Sequence, residues 1–147
     1  ISLYEFTPDG ALAHQHKHSV PGFAFLHDFA ITPNYCIFVQ NPVSFNPLPF
    51  VMGFKGAAEC IQFNPKQPTK IVLIPRSGEG EVRFFDTEPC FVFHHANAFE
   101  QDGQLILDSV CYDSFPTLDD AEDYSTVDFD HVPASQLWRF TVDLTTE

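Results

Sequence analysis

Short apolar runs, each broken by turn-forming residues, limit how this chain can fold more than any other feature. Residues 1–7 and 11–13 flank Pro8-Asp9-Gly10, and residues 25–32 and 35–40 flank Pro33-Asn34. Residues 70–75 and 81–87 flank Ser77-Gly78-Glu79-Gly80, residues 90–99 and 104–112 flank Asp102-Gly103, and 137–144 form a last run. The runs are rich in Val, Ile, Phe and Tyr, which suit a pleated, half-buried surface. The breaks carry Gly, Pro, Asn and Asp, which tolerate the backbone angles of tight turns. No stretch sustains a 3.6-residue period, and the most helix-like, residues 57–62, is too short to matter. The pattern predicts an all-β fold of antiparallel strands.

Two of the hairpins resemble each other. His27 opens a strand, a turn follows at Pro33-Asn34, and an apolar strand at 36–39 comes next. His94 opens a strand too, with a turn at Asp102-Gly103 and an apolar strand at 105–107. The histidines are 67 residues apart (94 minus 27). A four-stranded propeller blade takes about 40–50 residues, more with long loops. Equivalent positions in successive blades converge on a central axis, so the two side chains could share one metal ion. Two unrelated hairpins in a sandwich would give the same pattern. Between the two units, the stretch 41–53 reads NPVSFNPLPFVMG, and its prolines predict an irregular loop, either tucked under the domain or exposed as an apolar patch. The acidic stretch 119–123 reads as a solvated surface loop.

Charge and composition remove several classes of function. A formal net charge of −13 argues against nucleic acid and against electrostatic docking on anionic lipid, since both need a basic face. No run of about 18 apolar residues crosses a membrane and no stretch reads as a signal peptide. The chain starts at Ile1 and stops at Glu147 directly after a strand-like run, so residues 1–147 are expected to be a single fragment of one domain, incomplete at both ends. Its 17 Phe suit either a large core or a long apolar cavity. Cys36, Cys60, Cys90 and Cys111 form no C-x-x-C pair, so a zinc ribbon is not expected, and free thiols in a reducing cytoplasm are.

Seven histidines sort by context. His14, His16 and His18 alternate in HQHKH and would share one face of a strand, but the interleaved Lys17 and the following Val20-Pro21-Gly22 favour an exposed loop. His131 sits in the loop-like Asp130-His131-Val132-Pro133. His27 lies in the apolar run FLHDFA, and His94 and His95 lie in FVFHHANAFE. Neighbours on a strand point to opposite faces, so only one of the last two can face a given site. Pattern alone leaves each of these three either a ligand or a satisfied core residue.

His27-Asp28-Phe29-Ala30-Ile31-Thr32 followed by Tyr35 resembles a hallmark of the carotenoid cleavage oxygenases. So does Phe93-His94-His95-Ala96-Asn97-Ala98-Phe99-Glu100 followed by Gly103 and Leu107-Asp108, and Leu137-Trp138-Arg139-Phe140 matches in position. The resemblance runs over nearly the whole chain and is strongest to the cyanobacterial-type apocarotenoid oxygenases, which make retinal. It implies a seven-bladed β-propeller of antiparallel four-stranded blades, of which this chain supplies about two. It also implies an Fe(II) site of four histidines without a carboxylate ligand, in which His27 and His94 are two ligands and the other two lie outside this chain. His95 would then point into the sheet packing. The glutamates that orient such ligands fall outside the matched segments, so Asp28 and Glu100 take no role from the resemblance.

The function so implied is oxidative cleavage of one conjugated double bond of a carotenoid or apocarotenoid by dioxygen, giving carbonyl products such as retinal. Phe45, Leu48, Phe50, Val51, Met52 and Phe54 are expected to form an apolar patch at the mouth of a substrate tunnel, on a cytoplasmic protein peripheral to a membrane. Two rivals remain: a propeller that binds an apolar ligand without turnover, and a zinc hydrolase on a β scaffold. The second needs a nucleophile or carboxylate base, and no motif for either is present.

Overall fold

The computed structural model describes residues 1–116, 125, 130 and 133–146. The chain opens with an antiparallel hairpin of β1 (Ser2–Phe6) and β2 (Leu12–Lys17). Then come β3 (Ala30–Ile31), β4 (Tyr35–Gln40), a small hairpin of β5 (Val43–Phe45) and β6 (Ile61–Phe63), β7 (Thr69–Pro75) and β8 (Arg83–Thr87). The described residues end with β9 (Phe91–Gln101), β10 (Gln104–Tyr112) and β11 (Ser135–Asp143). One sheet has the order β3-β4-β7-β8 and the other β11-β10-β9, and each neighbouring pair is antiparallel.

Why the central strands read as unbroken apolar runs is clear from their packing. In β4 and β7, Ile37, Val39, Ile71 and Leu73 point to one face and meet Val92, Leu105, Leu107, Cys111, Phe140 and Val142 of the second sheet, with Cys90 just before it. Cys36, Phe38, Val72 and Ile74 point to the other face and pack with Leu3, Val20 and Leu26. The side chains still alternate, but both faces are covered, so no polar residue marks the period. Each fully buried Ile, Leu or Val stabilises the fold by about 1.5–3 kcal/mol relative to exposure. All four cysteines are free and buried, three of them inside these two clusters.

Three expectations need correction. The segment HQHKH is not a loop, because β2 pairs with β1 as far as Ser2–Lys17. Its polar residues are tolerated because β2 lies almost wholly exposed, while β1 turns Leu3 toward the core. The strand expected over 25–32 shrinks to Ala30–Ile31, so His27 lies in the extended segment ahead of it. Side-chain amides hold the chain leading into it: Gln40 donates Nε2–H to the carbonyls of Pro21 and Phe23 (2.9 and 3.1 Å), and Asn41 donates to that of Phe25 (3.5 Å). The stretch 41–53 is more regular than its prolines suggest. It supplies β5 and a one-turn helix, α1 (Pro47–Val51), in which the Asn46 side chain accepts from the Leu48 N–H at 3.2 Å. Pro47 suits the first helical turn, where its missing N–H is not needed. The acidic stretch 119–123 and His131 lie outside the described residues.

Candidate metal centre

The two sheets bring His27 and His94 together. Their ring centroids are 5.0 Å apart and their planes 81° apart, edge to face, and both residues are exposed. His27 comes from the segment before β3, and His94 from β9, the edge strand of the other sheet.

The local geometry of β9 explains how His94 reaches that position. Along most of its length β9 pairs regularly with β10, but Asp108–Ser109 faces Asn97–His95 and Ser109–Cys111 faces His95–Val92. At both steps β9 contributes one residue more than β10, so the strand bulges on either side of His95. Bulges re-aim side chains and are common beside active sites. His94 turns out to solvent toward His27, while His95 turns in and its Nδ1 lies 2.8 Å from the Ser109 Oγ. Burial, with His94 adding, pushes the His95 imidazole below its ordinary range, while nearby Asp28 opposes the shift.

Side chains from the first sheet hold the free edge of β9. Thr69 Oγ1 donates to the Cys90 carbonyl (2.7 Å) and accepts from its N–H (2.9 Å). Asn41 accepts the Val92 N–H at 2.8 Å and donates to its carbonyl at 3.1 Å. Asp28 accepts the His95 N–H at 3.1 Å and the Phe29 N–H at 2.8 Å. At the far end, the Glu100 carboxylate accepts from the Asn34 N–H (3.1 Å) and Nδ2–H (2.7 Å). Burial opposes ionisation of Asp28, but the His95 and Phe29 amides, with the neighbouring imidazoles, win and hold its carboxyl below the usual range. Glu100 is lowered in the same way, burial again opposing, by bonds from Thr32 and Asn34. These ties were not legible in the sequence. The one available signal is weak: a polar residue caps each apolar run, Asn41 after the β4 run and Thr69 before that of β7.

An aromatic wall adjoins the two imidazoles. The Phe93 ring is 5.4 Å from that of His27, 4.6 Å from Phe91 and 6.2 Å from Tyr112, and Phe115 stands 4.9 Å from Phe91. Phe91 is fully buried, whereas Phe93, Phe115 and Phe25 are half-buried. The other singled-out residues lie elsewhere. His16 Nδ1 is 2.6 Å from His18 Nε2, and among the described residues no three His, Cys, Asp or Glu side chains assemble into a group that could hold a metal ion. Asp108 and Arg139, directly opposed in β10 and β11, form a two-bonded ion pair (2.7 and 2.9 Å) and lie outside this site. Of the six patch residues, Leu48, Phe50, Val51, Met52 and Phe54 are 49–77% exposed and Phe45 is half-buried. α1 buries none of its residues.

The fold and the paired imidazoles describe two successive antiparallel sheets whose inner edges present histidines to one another, as adjacent blades of a propeller do. Comparison with known proteins agrees. The family model described as "Retinal pigment epithelial membrane protein" matches residues 1–147. The chain is 51% identical over 143 residues to the apocarotenoid-15,15'-oxygenase of Synechocystis sp., covering 97% of this chain and 29% of that protein. It is 33% identical over 109 residues to a carotenoid 9,10(9',10')-cleavage dioxygenase of Crocus sativus, covering 73% of this chain and 19% of that one. It superposes on the crystal structure of cobalt-substituted Synechocystis ACO with a TM-score of 0.89 at 51% identity, over 97% of this chain and 29% of that one. The chain therefore belongs to the retinal pigment epithelial membrane protein family, the carotenoid cleavage oxygenases, and forms part of its seven-bladed β-propeller. It spans less than a third of the length of the first of these relatives.

Proposed function

We propose that the full-length protein is a non-haem Fe(II) dioxygenase that cleaves one conjugated double bond of a carotenoid or apocarotenoid to two carbonyl products, retinal among them. The observation that carries this reading is the convergence of the His27 and His94 rings, 5.0 Å apart, beside the half-buried wall of Phe25, Phe93 and Phe115. The donor set fits the metal in kind: two imidazoles, one on β9 and one in the segment before β3, and among the described residues the neighbouring carboxylate, Asp28, is taken up by two amide N–H groups. Two further histidines, from parts of the protein outside this chain, would complete the set. Bound there, ferrous iron supplies the redox chemistry that lets dioxygen react with a spin-paired polyene. Both oxygen atoms end in the products, one on each carbon of the broken double bond, so no co-reductant is needed.

The chain's own residues would orient and exclude. The aromatic wall offers a rigid apolar surface against which a rigid polyene can lie, and its depth along that surface sets which bond meets the reacting centre. In the full-length protein the same wall would help to keep water from the site. A hydrolase reading finds less support among the described residues, where the Asp28 carboxylate beside the imidazoles is engaged by two amide N–H groups. Full-length protein with iron, mixed with an apocarotenal, should bleach it only when oxygen is present and release two carbonyl compounds in equal amounts. Binding without bleaching would support the non-catalytic ligand-binding reading instead.

The apolar loop fits a membrane contact that delivers such a substrate. Leu48, Phe50, Val51, Met52 and Phe54 are exposed around a helical turn that buries none of its residues, with the Phe45 ring at its base 6.4 Å from that of Phe50. With a net charge of −13, hydrophobic insertion rather than charge attraction would drive the contact. Phe50 and Met52 would each contribute about 1.5–3 kcal/mol on insertion. Changing both to Ser in the full-length protein should weaken binding to zwitterionic vesicles by tenfold or more, on the order set by those energies. Unchanged co-sedimentation would remove the idea.

A further inference from the structure

A single carboxylate links the backbones that carry the two facing imidazoles. Oδ1 of Asp28 holds the peptide that joins Asp28 to Phe29, just beyond His27. Oδ2 holds the peptide that joins His94 to His95, 67 residues further along. No other side-chain bond described between the sheets grips β9 between Val92 and Glu100, where Asn41 and Asn34 act. Within that stretch lie the two steps at which β9 slips by one residue against β10.

The slips make the clamp consequential. In a strand, a one-residue shift of register sends every side chain to the opposite face. The pairing with β10 is loosest on either side of His95, so the ladder alone fixes residues 93–96 weakly. A shift there would turn His94 inward and bring His95 out in its place. Two bonds oppose it: the Asp28 clamp from one side and the Ser109 contact of the His95 ring, 2.8 Å, from the other.

We propose that Asp28 is a positioning residue that fixes the register of β9 at the His94–His95 peptide and thereby selects His94, and not His95, as the imidazole that faces His27. The inference rests on the reading of that pair as metal ligands. Asp28 acts through the backbone and does not itself touch the metal. An amide side chain in its place would have only one oxygen to accept with, so it could satisfy one of the two N–H groups while its NH₂ opposed the other.

The test uses full-length protein stripped of metal and titrated with Co(II), read by its visible absorption band and by thermal unfolding without metal. D28A should weaken Co(II) binding by about 10–100-fold, the range found when an outer partner of a metal site is lost, and should change the cobalt band. D28N should fall between D28A and the parent. N34A removes the side-chain half of the Glu100 tie at the far end of β9 and leaves the backbone N–H bond, and it should lower the unfolding temperature without altering the band. A parent-like affinity and band in D28A would overturn the proposal, and so would equal changes in D28A and N34A, which would make Asp28 merely structural. If D28A does not fold, D28N against N34A decides the matter by the same criteria. The ligand reading is checked separately. Retention of Co(II) by H27A and H94A would remove that reading, whereas its loss there beside parent-like D28A would remove only the present inference.

Discussion

Replacement of His27 or of His94 by Ala in the full-length protein is expected to empty the iron site and abolish polyene cleavage. The two rings face each other across 5.0 Å, one on β9 and the other in the segment before β3, so each brings a donor that the other segment does not replace. Loss of an outer partner alone weakens a metal site by about 10–100-fold, and loss of a direct ligand should exceed that. Both residues are exposed in this chain, so the change to Ala removes little packing. Iron per protein, measured by atomic absorption, should therefore fall well below half in each variant while the unfolding temperature of the metal-free form stays near that of the parent. His95→Gln is the informative companion. It alters the neighbour whose ring turns inward to Ser109, and it should keep most of the iron. Full iron in both Ala variants, or its loss only in the His95 variant, would reject the assignment.

The second large effect is on stability and lies at Asn41. Its side chain does what a neighbouring strand would do, since it accepts the Val92 N–H and donates to the Val92 carbonyl, at 2.8 and 3.1 Å. Asn41 is 3% exposed and Val92 4%, so water cannot take over. Asn41→Leu keeps the volume and strands both Val92 groups, at about 1–3 kcal/mol for each buried group left unpaired. Denaturant unfolding of the full-length protein should show a loss of about 2–6 kcal/mol from those two groups. A loss under about 0.5 kcal/mol, the usual range for surface changes, would mean that the two sheets are not held together by this clasp. The hydrophobic contacts between them would then suffice.

How much of this was readable beforehand differs by element. The strands β4, β7, β9, β10 and β11 stood out because Val, Ile and Phe runs end at Gly-, Pro- and Asp-rich turns, and the structure keeps those boundaries within one or two residues. Of β2 only the start is expected, at residues 11–13; its continuation to Lys17 reads as a loop because it is almost wholly exposed, and its pairing is set by β1 rather than by its own side chains. The strand expected around His27 failed for the opposite reason. Residues 25–29 are apolar enough, but their backbone is captured at Phe25 by the Asn41 amide and at Phe29 by Asp28, while Gln40 holds the chain just ahead at Pro21 and Phe23. The histidines themselves stayed ambiguous until a family resemblance singled them out. That the outward ring of the pair is His94 and the inward one His95 follows from alternation, yet which is which depends on two bulges that no sequence period announces.

The β5–β6 hairpin with its apolar helical turn branches off between β4 and β7, whose mutual ladder runs from Tyr35–Pro75 to Gln40–Lys70 without a break. It forms its own two-stranded ladder beside the four-stranded sheet, with Phe45 at its base stacked on Phe23. Residues at its tip can therefore be lengthened, shortened or recoloured from greasy to polar without disturbing the strands that aim the imidazoles. Under the proposed membrane contact, where the protein docks and what it does once docked could thus diverge separately, each under its own selection.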